Sequence, residues 1–212
     1  MQIICLANSW RPGGHCIAGI DRETGNWIRP VPPDTDAIPC ERCVVGGAPI
    51  ALLDVLDLEV AEPREAHKYQ RENRILKSWA WAVRERVQRA SIEPFVDDMA
   101  PLFHTTNDRV VTAVLEKLAP TAWKSLQLVR PRNLRFERDG YNPQRWRARF
   151  RDKGGTEYQL KVTDPNATRR LEAGERIHPG SLLTVSLTRP WTPTDRSQLV
   201  VCYKIVAAVI EP

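Results

Sequence analysis

Short apolar runs separated by polar turns open the chain. Ile3, Ile4, Cys5 and Leu6 form the first run, Cys16, Ile17, Ala18 and Ile20 the second, and Trp27-Ile28 the third. A polar turn with Gly13-Gly14 lies between the first two, and Asp21-Arg22-Glu23-Thr24-Gly25 leads into the third. Two tight turns joining three short strands predict a β-meander over residues 1–30. Residues 31–39 are proline-rich, and prolines do not support a strand ladder, so a loop is expected there. Residues 49–60 read as a strand, with Val55, Leu56, Leu58 and Val60 inward and Asp54, Asp57 and Glu59 outward. Those carboxylates suit a solvated strand face better than a metal or acid–base pair.

The period then changes. Ile75, Trp79, Val83 and Val87 recur every fourth residue, which predicts an amphipathic helix over residues 71–90. Trp79 falls on its apolar stripe. Trp81 falls about 200° away and is available for a second interface. Ser91 is placed to cap a short helix over 92–99. Asn107 or Asp108 is placed to cap another through Val110, Val114 and Leu118, stopped by Pro120.

Alternation returns after residue 120. Strands are predicted at 125–129, 133–136, 145–151, 158–162, 181–187 and 199–210, with a link containing Arg169 and Arg170 and a loop over 188–197. The expected architecture is mainly β with a helical block, an α+β chain. It divides into a small β-barrel over 1–65, a helical connector over 66–120 and a second barrel over 121–212.

Charge adds a polarity to this plan. The net charge is +5, and 24 of the 31 basic residues are Arg. Residues 1–65 hold 5 basic and 10 acidic side chains, and the remainder 26 and 16, so the halves stand at −5 and +10. An Arg-rich composition explains the choice of Arg but not its clustering, and clustering suits a polyanion. Arg145, Arg147, Arg149 and Arg151 alternate with Trp146, Ala148 and Phe150. In a strand the four arginines share one face, about 7 Å apart. That is a track for phosphates, and equally a solvated outer sheet face. Phe136, Tyr141 and Trp146 would stack bases if exposed.

A second candidate is the turn at 9–15. Gly13 and Gly14 permit an anion nest, Arg11 a bidentate phosphate contact, and Asn8 and Ser9 short polar contacts. Taken in isolation, a hairpin that uses Gly-Gly for geometry alone fits slightly better. Arg29 is a strand-end cation, with a salt bridge to Asp21 as its structural alternative.

Five cysteines, an odd number, point to free thiols. Cys40 and Cys43 form one C-x-x-C. A structural zinc needs two further ligands, for which only the distant Cys5 and Cys16 offer themselves. The four histidines are scattered. Nucleophile-elbow, Walker A, dinucleotide-fingerprint and H-E-x-x-H motifs are absent, and no lysine has an acidic residue two positions before it. No catalytic residue and no cofactor is therefore expected. Without a membrane-length apolar run or a secretory leader pattern, a cytoplasmic location and no membrane partner are expected.

Several segments together resemble the prokaryotic dual OB-containing domain family. They are the opening IICLANS-x-RPGG-x-CIAGID with G-x-WIRPV, then Tyr69-Gln70-Arg71-Glu72-Asn73, the 125–136 strand pair, the YQLKVTDP segment at 158–165, and the VSL and CYKIVAAVI strands. Asn8, Ser9, Arg11, Gly13, Gly14, Cys16, Gly19, Trp27 and Arg29 match the opening motif, while Trp10 and His15 fall at its variable positions. The resemblance covers nearly the whole chain. It implies two OB-like barrels and a nucleic-acid or nucleotide-binding role in defence or other conflict systems, with no catalytic residues. The resulting expectation is a non-enzymatic module that binds single-stranded nucleic acid through residues 145–151 and the 9–15 turn. Two alternatives stand beside it: a small-nucleotide sensor at Gly13-Gly14, and a protein-interaction scaffold using the 71–90 helix.

Overall fold

The computed structural model describes residues 1–63, 68–97, 99–193 and 199–212. His67, the 65/66 boundary and the 194–197 part of the predicted 188–197 loop lie outside the described residues. The chain is mainly β. Sixteen strands run in order: β1 Gln2–Arg11, β2 Gly14–Asp21, β3 Trp27–Val31, β4 Val44–Val45, β5 Ala48–Pro49, β6 Asp54–Asp57, β7 Val60–Pro63, β8 Asn73–Leu76, β9 Ala82–Arg86, β10 Arg109–Val111, β11 Leu126–Val129, β12 Arg132–Arg138, β13 Trp146–Arg151, β14 Glu157–Val162, β15 Leu182–Leu187 and β16 Val201–Ile210. Two α-helices, α1 Thr112–Leu115 and α2 Pro165–Glu172, and four short 3₁₀ turns complete the described elements.

Two seven-strand assemblies result. The first has the order β7-β8-β3-β2-β1-β6-β9, and the second β11-β15-β16-β14-β13-β12 with β10 added on β16. Pairing is antiparallel except for β3 with β8 and β14 with β16. The predicted meander is present: β1 pairs with β2 from Ile3 opposite Asp21 to Arg11 opposite Gly14, and β2 pairs with β3.

Each sheet has its own core. Ile3, Cys5, Ile17, Leu56, Leu58 and Trp81 lie in the first, and Val110, Phe150, Tyr158, Leu160, Val185 and Val206 in the second. Further clusters join the sheets: Ile4, Leu6, Leu128, Leu182 and Ile210 in one, Ala7, Ala18, Ala207 and Ala208 in the other. β1 is thus covered on both faces, which is why its apolar run does not alternate. The small alanines let the backbones of β1 and β16 come close.

The 71–90 helix does not form, and neither does the helical partner surface expected from it. That segment holds β8 and β9, joined through Trp79 and Trp81. Arg29 N–H donates to the Glu72 carbonyl at 2.8 Å, and β8 continues alongside β3. β9 pairs with β6, where Arg86 meets Asp54 at 2.8 Å and Arg84 meets Asp57 at 2.5 Å. Period-two charge matching to β6 overrides the four-residue apolar spacing. Trp81 is buried at 8% exposure, 5.9 Å from Trp79, so the outward role expected for it fails.

Other differences are local. Asp54 points inward, accepting from Ala51 N–H at 2.8 Å. Leu53 adopts φ 71°, and the expected 49–60 strand is split into β5, β6 and β7. The expected 92–99 helix is a 3₁₀ turn at Arg89–Phe95, and the 110–118 helix is β10 followed by the single turn α1. The link with Arg169 and Arg170 is α2, capped by Asp164, which accepts from Asn166 N–H at 2.9 Å and Ala167 N–H at 3.0 Å, with Pro165 at the first helical position.

Candidate nucleic-acid interface

The arginine strand is β13, and its alternation is as expected. Ala148 and Phe150 lie in the core, while Arg147, Arg149 and Arg151 stand on the outer face. Register across β12, β13 and β14 sets cations side by side. Arg132 lies opposite Arg151, Arg135 opposite Arg149, and Arg147 opposite Lys161. Glu137, Asp139 and Glu157 interrupt the field. Arg147 Nε donates to Asp139 at 2.7 Å, and Arg149 and Arg151 donate to Glu157 at 2.7 and 3.0 Å. The Tyr141 N–H and the Arg147 guanidinium hold the Asp139 carboxyl below the usual carboxylate range. Arg149 does the same for Glu157.

At one end of this face the chain forms a hollow of about 370 Å³, walled by Trp10, Arg145, Trp146, Lys161, Pro165 and Arg169 among others. Trp10 is the penultimate residue of β1 in the first sheet, and its backbone N–H donates to the Thr163 carbonyl beyond β14 of the second at 2.7 Å. Its indole is 54% exposed and stands edge-to-face with His15, ring centres 5.3 Å apart. Among the described residues no carboxylate lies within ion-pair distance of Arg145, Lys161 or Arg169; Arg169 donates only to Asn166 Oδ1 at 2.7 Å. Partial burial, with Arg145 and Arg147 nearby, holds the Lys161 pKa below the ordinary lysine value. Trp146 donates its indole N–H to Glu172 at 2.9 Å, and Arg138 covers its ring at 4.2 Å. Tyr141, at the tip of the β12–β13 turn, is fully exposed.

The 9–15 turn is built differently from the expected loop. Asn8 and Ser9 are strand residues: Asn8 donates to the Ile50 carbonyl at 2.9 Å and contacts His15 Nδ1 at 2.7 Å, and Ser9 is buried. Burial lowers the His15 pKa. Arg11 donates to the Asp36 carbonyl at 2.6 Å. Gly14 has φ +143°, and a Cβ there would stand 2.2 Å from the Ile38 carbonyl oxygen. Glycine is used for close backbone approach, with His15 N–H and Ile38 N–H each donating to the other's carbonyl at 2.8 Å. A larger hollow of about 560 Å³ lies beside Asn8 and His15. Its charged walls are already occupied: Arg86 by Asp54, Arg170 by Glu175 and Glu211, and Asp164 by the N–H groups of Asn166, Ala167 and Val209.

Arg29 is not at the surface. It is 3% exposed and lies between the sheets, where Nη1 donates to Asn73 at 3.0 Å and meets Glu72 at 2.9 Å. Its Nη2 donates to Ser125 at 3.0 Å and Ser186 at 3.3 Å. Its ion-pair partner is Glu72, not Asp21. Gln70 extends the network by donating to the Leu187 carbonyl at 3.2 Å. Cys40 and Cys43 sit on one 3₁₀ turn, Cys40 exposed and Cys43 buried, and among the described residues no three candidate ligands gather around a metal position.

Sequence reasoning missed Trp10, Lys161 and Arg169. Trp10 stood beside a motif rather than in it, Lys161 sat in an ordinary alternating strand, and Arg169 depended on recognising Asp164-Pro165 as a helix start. Among the described residues no helix is long and apolar enough to cross a membrane.

Among curated proteins, none matches the chain. Two solved structures align along its length: the tetrameric p202 HIN2, at 10% identity and TM-score 0.29 over 99% of this chain and 91% of that one, and a murine DNA binding protein bound with double-stranded DNA, at 10% identity and TM-score 0.26 over 100% and 98%. Both scores are too low to bear on fold or function. The family model for the dual OB-containing domain matches residues 1–209, in agreement with two curled β-sheets spanning the chain, and the protein belongs to that family.

Proposed function

We propose that this protein is a non-enzymatic nucleic-acid-binding module that takes single strands across the outer face of β12, β13 and β14. One observation carries the reading. Three cross-strand pairs on that face, Arg132 with Arg151, Arg135 with Arg149 and Arg147 with Lys161, have like charge, and their six cations outnumber the three carboxylates of Glu137, Asp139 and Glu157 set among them. Like charges directly opposite one another destabilise a sheet. A bound polyphosphate offsets what the carboxylates leave of that cost and releases its own counterions. OB-like sheets lend themselves to this use, with bases on aromatics beside a basic groove.

The test is anisotropy of labelled single-stranded DNA and RNA at low salt with the full chain. Binding that is lost in an Arg135→Glu, Arg149→Glu pair supports the proposal, and no binding by the unsubstituted protein overturns it. On the family resemblance we extend the reading to prokaryotic defence or conflict systems. Genes for a nuclease or helicase beside this one would support that extension, and their absence would count against it. The small-nucleotide alternative draws less support from Gly13-Gly14, because Gly14 packs closely against the Ile38 carbonyl.

A further inference from the structure

The basic face explains attraction to a polyanion but not a preference for strands with unpaired bases. The hollow at its end has what that preference needs. Arg147, Arg149 and Arg151 are each matched to a carboxylate, whereas Arg145, Lys161 and Arg169 converge on the hollow with no ion-pair partner among the described residues. Cations gathered on one hollow with no carboxylate within ion-pair distance among the described residues are an anion site, and partial burial, with Arg145 and Arg147 nearby, lowers the Lys161 pKa.

Trp10, 54% exposed, lines the same hollow. Its backbone is fixed by the 2.7 Å hydrogen bond to Thr163, and its ring is set against His15. An exposed indole held in place and a trio of cations lining one hollow of about 370 Å³ match a flat heterocycle with a phosphate attached. A paired base within a duplex has both faces stacked and presents none to Trp10.

Resting on the proposed binding of nucleic acid by the β12–β14 face, we infer that this hollow is a subsite for one unpaired nucleotide, with its base stacked on Trp10 and its phosphate held by Arg145, Lys161 and Arg169. The subsite takes Trp10 from the first sheet and its cations from the second, so it exists only where the two meet. It is the element that sets single strands above duplexes.

The experiment uses the full chain with a labelled single-stranded oligonucleotide and with the same sequence as a duplex. Trp10→Ala should weaken single-strand binding by roughly 5- to 150-fold, the range for losing one stacked base, and leave duplex binding unchanged. Trp10→Phe should retain most of the affinity. Arg145→Ala with Lys161→Ala should lower the single-strand salt slope by about 0.7, one phosphate's worth. Thermal melts matching the unsubstituted protein's establish that each variant is folded. Unchanged single-strand affinity in Trp10→Ala overturns the subsite while leaving the basic face standing. Equal losses on single strand and duplex also overturn it. Failure of the unsubstituted protein to bind any nucleic acid overturns the underlying reading and the subsite with it.

Discussion

Replacing Arg29 with Met removes the charge that ties the two sheets together. The guanidinium is 3% exposed and its partner Glu72 7%, so neither is rescued by solvent. Nη1 meets Glu72 at 2.9 Å and donates to Asn73 at 3.0 Å, and Nη2 donates to Ser125 at 3.0 Å and to Ser186 at 3.3 Å. Met fills much of the volume but leaves the Glu72 carboxylate buried with only the Ser125 hydroxyl against it. Breaking a buried pair from one side costs about 3–5 kcal/mol. In a chain of 212 residues that lowers Tm by about 6–20 °C. Urea unfolding should report the loss as a lower midpoint. Replacing both residues by Met should recover most of the stability, because no unpaired charge is left behind. A cost below about 1 kcal/mol for Arg29→Met, or a double substitution that costs the sum of its parts, would refute the staple.

Three further outcomes follow from other parts of the molecule. Gly14→Ala should cost about 1–3 kcal/mol or more in thermal melts, because its Cβ would stand 2.2 Å from a backbone oxygen that cannot swing away. Lys204, 2% exposed, donates to the Thr105 carbonyl at 2.6 Å, and burial pushes its pKa down to about 7. From about pH 7 upward the unfolded chain holds a proton there that the folded chain has released. Stability should therefore rise between pH 7 and 8.5, by at most about 1.4 kcal/mol per pH unit, and Lys204→Met should flatten that rise. Arg135→Glu turns a like-charge neighbour of Arg149 into an opposite one, so it should leave stability equal or up to about 1 kcal/mol higher while weakening nucleic-acid binding; tighter binding would contradict the role given to this face.

The sequence pattern made the meander, the strands after residue 120 and the inner and outer faces of β13 legible, because each rests on local turns and period-two alternation. It misread 71–90, where Ile75, Trp79, Val83 and Val87 keep helical spacing while Arg84 and Arg86 are matched to Asp57 and Asp54 on a strand some thirty residues earlier. Non-local pairing of that kind leaves no mark in a window of one helix. Arg29 was misplaced for a similar reason: its partners Glu72, Ser125 and Ser186 come together only when the sheets dock. Gln70, Glu72 and Asn73, Ser125 and Ser186 lie in segments that carry the family resemblance, and all of them belong to this buried seam. The candidate site followed the same rule. Charge clustering pointed to β13, but only the folded chain shows that Arg145 has no carboxylate within ion-pair distance among the described residues while Arg147, Arg149 and Arg151 are paired, and that Trp10 of the first sheet lines the same hollow.

The central claim, that the β12–β14 face takes the phosphates of a single strand, is tested most directly by the salt dependence of affinity for a single-stranded oligonucleotide. Contact with three to five phosphates predicts a straight line of log K against log salt with a slope of about −2 to −3.5. Binding with no salt dependence, or none at low salt, would contradict it.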